Sequence, residues 1–326
     1  MKPISSFMLR SLVSETRPLL VGTFLDKFQQ VGKETFKLSF RTKDGKKDLL
    51  IEPGVRLNVT TYNIEAPKTP SNFSLQIKKR IAGHKLLSIE QHRFDRVVTM
   101  DFGEYKLILE FFSHGNIILT DPKLTVVNAF RQETWKDREI RRGKPYAYPT
   151  GGLDVTTATK EEFANMFKGD AVHSLAKNIG GKYAEEACSR AKVKPDATPN
   201  EKEKDALFKA VRSMLDEPIN PALQDGELHP FTLSGAVEKS FASANEAVDE
   251  SYLYVPEKQE NPRIGELERR LKEQEDALTK FEKQAEDYRA KGDLIKQNYF
   301  AVEQLKVTGA LAGARKSGRK IIIDLS

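Results

Sequence analysis

Residues 91–98 read Gln-His-Arg-Phe-Asp-Arg-Val-Val and join two apolar stretches, 85–91 and 96–102, that predict neighbouring β-strands. The acid–base pair Asp95-Arg96 therefore falls at a turn between strands. Loops that a rigid sheet holds in place carry many binding residues, so this pair is a candidate binding site. The competing interpretation is an exposed surface pair that contributes little to stability, which is common for these residue types.

Around this turn the sequence predicts a β-rich domain over residues 1–157. Short strand-like runs alternate with turn signals at 20–28, 35–41, 48–51, 57–61, 85–91, 96–102, 106–112, 116–120 and 126–130. Strands at this density predict a β-sandwich or an open barrel. Amphipathic patterns at 4–17 and 71–82 predict two accompanying helices.

The pattern changes near residue 159, and an all-α domain is predicted over 158–255. Its helices are expected at 171–178, 182–191, 200–215 and 235–250, with a loop at 216–232 and a linker at 255–262. Residues 178–184 (NIGGKYA) match a helix-hairpin-helix pattern, in which backbone N–H groups at a helix N-terminus face a phosphate. Candidate phosphate-binding residues are Lys177, Gly180, Gly181 and Lys182. An ordinary turn between helices also uses glycine and is an open alternative.

A basic segment follows the predicted sheet at 136–144 and contains Arg138, Arg141 and Arg142, with Trp135, Tyr146 and Tyr148 alongside. Arginine mixed with aromatic rings can grip phosphates and stack bases, so the three arginines are candidate RNA-binding residues. A solvated loop anchored by its aromatic residues explains the same composition.

From residue 264 a heptad pattern predicts a coiled-coil arm over 256–305, with Gln274 and Gly292 weakening its seam. A coil needs a partner helix, so we expect either a dimer or pairing within a longer chain. Residues 306–326 are interpreted as a remnant of a middle domain or return segment, ending in a lone strand at 320–325. The chain is accordingly expected to be a fragment or an edited form of a longer protein.

Charge and composition narrow the function class. The formal net charge of +6 and the pI near 9.1 favour a polyanionic partner, although 47 acidic residues against 53 basic ones make local patches matter more than the total. The single cysteine, Cys188, excludes an intramolecular disulfide and a Cys-rich zinc site. The sequence has no membrane-length apolar run and no signal peptide, so we expect a cytoplasmic protein without a membrane partner.

Catalysis has little support in the sequence. Glycine motifs of nucleotide-binding and serine-hydrolase sites are absent, and no histidine has metal-ligand spacing. His92, near Asp95, is the only candidate base. We therefore predict a protein that is not an enzyme and has no catalytic residue, metal or cofactor.

Several literal stretches, taken in order, resemble the NFACT family of ribosome-quality-control factors, also known as fibronectin-binding-protein-A-like proteins. They are 48–54 (DLLIEPG), 70–73 (PSNF), 92–96 (HRFDR), 115–121 (GNIILTD), 183–186 (YAEE), Phe241 and 245–247 (NEA). The resemblance covers nearly the whole chain. It implies an α+β multidomain protein: an N-terminal domain similar to that of formamidopyrimidine-DNA glycosylases, a helix-hairpin-helix domain, a coiled-coil arm and a C-terminal RNA-binding domain that this sequence lacks.

The resemblance also implies partners and site residues. Family members bind large ribosomal subunits that carry peptidyl-tRNA and recruit tRNA, often alanyl-tRNA, to extend the stalled chain without messenger RNA. The family's tRNA-handling Asp-Arg pair falls on Asp95 and Arg96, and His92, Arg93 and Met8 are further candidate tRNA-binding residues. Many relatives have an acidic residue where this sequence has Met8, which puts full tRNA recruitment in doubt.

Two other functions compete with this one. A DNA glycosylase or AP lyase is the alternative from the related N-terminal fold, but such enzymes use an N-terminal proline, and this chain begins Met1-Lys2-Pro3. A surface adhesin, which the older family name implies, lacks an export signal here.

Overall fold

A computed structural model describes residues 4–112, 114–135, 138–252, 262–308, 315–317 and 320–322. The chain divides into two compact units, Met1–Glu257 and Lys258–Ser326. The first unit holds both predicted domains, 1–157 and 158–255. Most of the predicted linker 255–262 lies outside the described residues, as do residues 1–3, 136 and 137.

The first unit begins with helix α1 (Ser6–Leu20). Ser5 caps its N-terminus, because the Ser5 side chain accepts a hydrogen bond from the Met8 N–H at 3.1 Å. An antiparallel sheet follows in the order β1 (Phe24–Gln30), β2 (Phe36–Thr42), β3 (Gly45–Glu52) and β4 (Arg56–Thr60). The predicted strand at 20–28 starts too early, because Leu20 completes α1 and is buried in the core.

Helix α2 (Asn72–Ile81) leads into a second antiparallel sheet of five consecutive strands. They are β5 (Ser88–Gln91), β6 (Val97–Asp101), β7 (Lys106–Glu110), β8 (Asn116–Thr120) and β9 (Val126–Ala129), and the short pair β10 (Glu133–Thr134) and β11 (Glu139–Ile140) follows. The segment between α2 and β5 is bonded to β1, because the Leu25 N–H donates to the His84 carbonyl at 3.0 Å. The apolar faces of the two sheets and α1 enclose one core.

The helical part contains α3 (Lys160–Asn165), α4 (Ala171–Ile179), α5 (Gly181–Ala191), α6 (Glu201–Leu215) and α7 (Ala244–Ser251). It is not all-α as predicted. Strands β12 (Ala222–Gln224), β13 (Glu227–His229) and β14 (Lys239–Ser240) form a small sheet where a loop and the start of a helix were expected. The reason is a tight turn at Asp225-Gly226, both at positive φ (51° and 68°), which reverses the chain into a hairpin.

Helix α7 packs against the edge of the first sheet. Its Asp249 carboxylate accepts hydrogen bonds from Asn58 Nδ2 at 2.9 Å and from the Thr61 N–H at 2.8 Å. At the other end of α7, Glu15 of α1 accepts from the Ala244 N–H at 2.7 Å. These bonds supply acceptors for N–H groups at the edge of the first sheet and at the N-terminus of α7. Helix α7 therefore connects the helical part to the β-rich part.

Two helices form most of the described part of the second unit. Helix α8 (Pro262–Gln297) continues almost directly into α9 (Tyr299–Thr308), because Asn298 keeps helical hydrogen bonds to Leu294 and Val302 at 3.1 Å. Most seam residues with described side chains are exposed, for example Phe281 at 64% and Tyr288 at 70%, whereas Gly292 and Val302 are half-buried, so coiled-coil pairing stays a prediction.

The lone strand predicted at 320–325 does have a partner. Strand β15 (Arg315–Ser317) pairs antiparallel with β16 (Lys320–Ile322), and only two residues separate the strands in sequence, a spacing typical of hairpins. The rest of the predicted segment, 323–325, lies outside the described residues.

Candidate nucleic-acid interface

The turn that carries Asp95-Arg96 is held in place from several directions. Gln91 Nε2 donates to the carbonyls of Ser6, at 3.0 Å, and Asp95, at 2.9 Å. The Asp95 carboxylate accepts from the Arg96 N–H at 2.7 Å. Because the backbone is fixed in this way, the half-buried Asp95 and Arg96 side chains start from a defined position.

His92 and Arg93 precede the pair in the same turn. The His92 ring stacks face to face on Tyr148, with centroids 3.7 Å apart and planes 9° apart. Burial, together with the positive charge of Arg93, lowers the pKa of His92, so its ring is neutral near pH 7. Arg93 is exposed and has a left-handed backbone (φ 52°), which leaves its charge on the surface.

The helix-hairpin-helix pattern corresponds to α4 and α5, joined at Gly180. Gly180 has φ 86° and ψ 154°, a conformation that disfavours other residues. No side chain caps the N-terminus of α5, where Gly181 and Lys182 begin the first turn. Free N–H groups at a helix N-terminus attract anions, so this end of α5 can receive a phosphate.

Residues 151–153 bring the hairpin to the Asp95 turn. The Leu153 N–H donates to Asn178 Oδ1 at 2.7 Å, so this segment is bonded to the last turn of α4. A Cβ atom on Gly152 would lie only 2.0 Å from the same Asn178 oxygen, whereas one on Gly151 would lie 3.5 Å from Asp95 Oδ2. The glycine at position 152 is therefore needed for this close approach.

The Asp95 turn, the linking segment and the hairpin enclose a cleft of about 510 Å³. Eight of the predicted site residues line it: His92, Arg93, Asp95, Arg96, Lys177, Gly180, Gly181 and Lys182. The start of α1 contributes Ser5 and Ser6. Two groups of candidate residues from separate parts of the sequence thus line one cleft.

Predicted residues of the basic segment do not line this cleft. Arg138 forms an ion pair with the buried Glu110, and its guanidinium lies 5.0 Å from the Trp135 ring centre. Burial raises the pKa of Glu110, and Arg138 opposes that rise. With its side chain 10% exposed, Arg138 anchors the segment to the sheet. Arg141 Nε lies 3.5 Å from Glu139 Oε1, and the Arg142 side chain is exposed.

Met8 also lies outside the cleft. Its side chain is 2% exposed, belongs to the core, and borders a second cavity of about 290 Å³. The β12–β13 turn also borders the cleft, although the sequence did not predict it there. Its Asp225 carboxylate lies 3.2 Å from Lys182 Nζ, and its Glu227 lines the cleft. The hydrogen bond to Asp225 raises the pKa of Lys182. Asp-Gly is a hairpin signal, but nothing in the sequence says that the hairpin reaches α5.

Fold and cleft together define an α+β protein with a mixed-charge cleft beside an uncapped helix N-terminus. The chain belongs to the NFACT family: the model described as NFACT N-terminal and middle domains matches residues 5–326. No helix in the described part of the chain combines the length and the apolar composition that a membrane span requires.

The chain is similar to the archaeal Rqc2 homolog aRqcH of Methanocaldococcus jannaschii, at 33% identity over 80% of this chain and 44% of that protein. It is 24% identical to the human ribosome quality control complex subunit NEMF, over 92% of this chain and 33% of that protein. The chain therefore spans about a third to just under half of these relatives.

Among solved structures, the N-terminal part of the fibronectin/fibrinogen-binding protein from Streptococcus suis matches with a TM-score of 0.65 at 21% identity, covering 76% of this chain and 98% of that chain. The fibrinogen binding protein from Staphylococcus aureus matches with a TM-score of 0.64 at 19% identity, covering 77% and 99%. At these identities the likeness concerns the fold alone.

Proposed function

We propose that the cleft binds the backbone of RNA, tRNA in particular, and that the chain serves in ribosome quality control. The observation that carries the proposal is the convergence of Arg93, Arg96, Lys177 and Lys182 with the uncapped N-terminus of α5 in one cleft. Cations and helix N-terminal amides both hold phosphate without reading sequence.

The Asp95-Arg96 pair has divided roles in this proposal. The guanidinium of Arg96 can fork onto a phosphate or stack on a base. The Asp95 carboxylate already accepts from the Arg96 N–H, so it stabilises the turn, and its other oxygen can accept from a base amine or a ribose hydroxyl. In this proposal Arg96 attracts the RNA, and the hydrogen bond to Asp95 fixes the orientation of the bound nucleotide.

The relatives extend the proposal to a cellular role. Their names place them in ribosome quality control complexes or among Rqc2 homologs. We infer that this chain binds a large ribosomal subunit that carries peptidyl-tRNA and supports tailing of the stalled chain without messenger RNA. In that role the ribosome supplies the peptidyl-transfer chemistry and the chain is a binding factor. The glycosylase or lyase alternative needs a nucleophile at the N-terminus, and residues 1–3 lie outside the described residues.

A titration of tRNA tests the cleft. The double variant Asp95→Ala/Arg96→Ala should weaken binding about tenfold, as expected for loss of a charge-assisted contact. It should also reduce the slope of log affinity against log salt by about 0.7 to 0.9, as expected for the loss of one phosphate contact.

The matched control is Asp26→Ala/Arg41→Ala, which removes an acid–base ion pair elsewhere on the surface with the same change in charge. It should leave tRNA affinity unchanged. Equal affinity of the two double variants would refute the cleft as the tRNA site. Co-sedimentation of wild type with large subunits that carry peptidyl-tRNA tests the cellular role separately.

A further inference from the structure

The small sheet beside the second cavity has an open edge at Leu228. Its strands lie in the order β13-β12-β14, so β13 has a neighbouring strand on one side only. The Leu223 carbonyl of β12 accepts from the Glu238 N–H at 2.9 Å, on the side of β14, so the main-chain groups of Leu223 point away from β13. Leu228 pairs with Leu223, and in such an antiparallel pair the main-chain groups of both residues point outward. Within the described part of the chain, neither the N–H nor the carbonyl of Leu228 takes another backbone partner.

The Leu228 side chain shows what lies beside this edge. It packs, together with Tyr252, against the core that contains Met8 and Val248. All four residues line the second cavity, so the apolar wall of the cavity lies on the face of the sheet that carries Leu228. Side chains directly opposite each other in an antiparallel pair lie on the same face. A residue that paired with Leu228 would therefore place its side chain in the cavity.

Charge and volume narrow the partner further. Asp225 and Glu227 line the cavity, and none of the described residues in its lining is lysine or arginine. Lys182, the ion-pair partner of Asp225, lines the cleft and not this cavity. These charges favour a basic partner over an acidic one. The volume of about 290 Å³ lies at the lower limit for small-molecule sites, which suits a single large side chain.

We propose that β13 and the second cavity bind an extended segment of a partner protein, which adds a strand at Leu228 and inserts one large apolar side chain flanked by basic residues. The N–H and carbonyl of the inserted residue bond to the carbonyl and N–H of Leu228. In strand addition of this kind, main-chain bonds supply affinity and a side-chain pocket supplies specificity. The site goes beyond RNA binding, because it uses neither the Asp95 turn nor the uncapped N-terminus of α5.

Peptides of defined sequence test the site by fluorescence anisotropy. The probe is the fluorescein-labelled, amidated peptide Gly-Thr-Lys-Leu-Lys-Thr-Gly. Wild type should bind it about tenfold tighter than the same peptide with alanine in place of leucine, because alanine buries less apolar surface. Methylation of the leucine main-chain nitrogen removes one hydrogen bond and should weaken binding about fivefold. Aspartate in place of both lysines should also weaken binding.

Protein variants locate the site. Ser251→Trp should fill the cavity from its exposed rim and bring the affinity ratio of the leucine and alanine peptides close to one. Ala242→Trp is the matched control, because Ala242 is exposed, precedes the same helix and lines neither cavity. It should keep the wild-type ratio, and thermal unfolding verifies that both variants are folded. Asp95→Ala/Arg96→Ala should leave peptide affinity unchanged, so failure of this proposal and failure of the proposed function are distinguishable.

Equal binding of the leucine and N-methyl-leucine peptides by wild type would overturn the proposal, and so would a leucine preference that survives Ser251→Trp. Two results would assign the site to another occupant and overturn the proposal as well. Peptide binding that appears only after removal of residues 2 and 3 would assign it to the N-terminal segment of this chain. Dimerisation that Ser251→Trp abolishes would assign it to a second copy.

Discussion

Replacing Gly152 with alanine should damage both stability and RNA binding, although the residue carries no functional group. The new Cβ would lie 2.0 Å from Asn178 Oδ1 and 3.1 Å from Asn178 Cγ, so the asparagine side chain must turn away. It then loses the bonds from the Leu153 N–H at 2.7 Å and to the Ser174 carbonyl at 3.1 Å. At about 1 kcal/mol each, the loss amounts to about 2 kcal/mol of unfolding free energy.

Thermal unfolding and tRNA titration measure the two effects. A loss of about 2 kcal/mol lowers the Tm by roughly 4 to 8 °C in a unit of this size. Asn178 lies two residues before Gly180, so its displacement shifts the N-terminus of α5 that would hold phosphate. If that shift costs about 1.4 kcal/mol of binding free energy, tRNA affinity falls about tenfold.

Gly151→Ala is the matched control, since its Cβ would be 3.5 Å from Asp95 Oδ2, an ordinary contact distance. Its Tm should stay within about 1 °C of wild type. Asn178→Ala removes the side-chain atoms that the Cβ at position 152 would approach. Adding Gly152→Ala to this variant should therefore lower the free energy of unfolding little further. Equal losses at positions 151 and 152, or full additivity with Asn178→Ala, would refute the close-approach explanation.

Three further changes should have measurable effects. Asp225→Asn should release Lys182 from its ion pair and steepen the salt dependence of tRNA binding, while Lys182→Ala should make it shallower; identical slopes would exclude Lys182 from the interface. Burial lowers the pKa of His229 below its ordinary value of 6.5, so the imidazole is protonated more readily in the unfolded chain than in the folded one. The free energy of unfolding should therefore fall as the pH drops below about 6.5. Urea denaturation at several pH values should show a smaller fall for His229→Asn. Asp249→Ala should lower the free energy of unfolding by about 2 to 4 kcal/mol, because Asn58 Nδ2 and the Thr61 N–H lose their acceptor. Glu250→Ala removes only an exposed ion pair with Lys239 and should lower it by at most about 1 kcal/mol. Urea denaturation measures both changes.

The strands beside the Asp95 turn could be predicted because their apolar residues alternate and their turns carry glycine or proline. The predicted runs at 106–112 and 116–120 correspond to β7 and β8 within two residues. Strands β12 to β14 could not be predicted, because strands of two or three residues are too short to show an alternating pattern. Their position depends on the Asp225-Gly226 turn and on packing that sequence spacing does not reveal.

The sequence predicted the two local motifs of the candidate site, but not that they lie side by side. Local patterns indicated the Asp95 turn and the Gly180 hairpin. The contact that brings them together joins Asn178, at the start of the hairpin motif, to Leu153, which belongs to neither motif. Arg138 illustrates the opposite case. Its neighbours suggested a free cation, yet Glu110, almost thirty positions away in sequence, holds it at the sheet.

The charges of the cleft limit how strongly it alone can hold RNA. Its lining contains the cations Arg93, Arg96, Lys177 and Lys182, and also the acids Asp95, Asp154 and Glu227. If all four cations contact a phosphate, the slope of log affinity against log salt reaches about −2.8 to −3.6. A measured slope near this value would make the cleft sufficient for the electrostatic part of binding. A much steeper slope requires phosphate contacts elsewhere on the chain, and exposed cations such as Arg142 would then be the first to test.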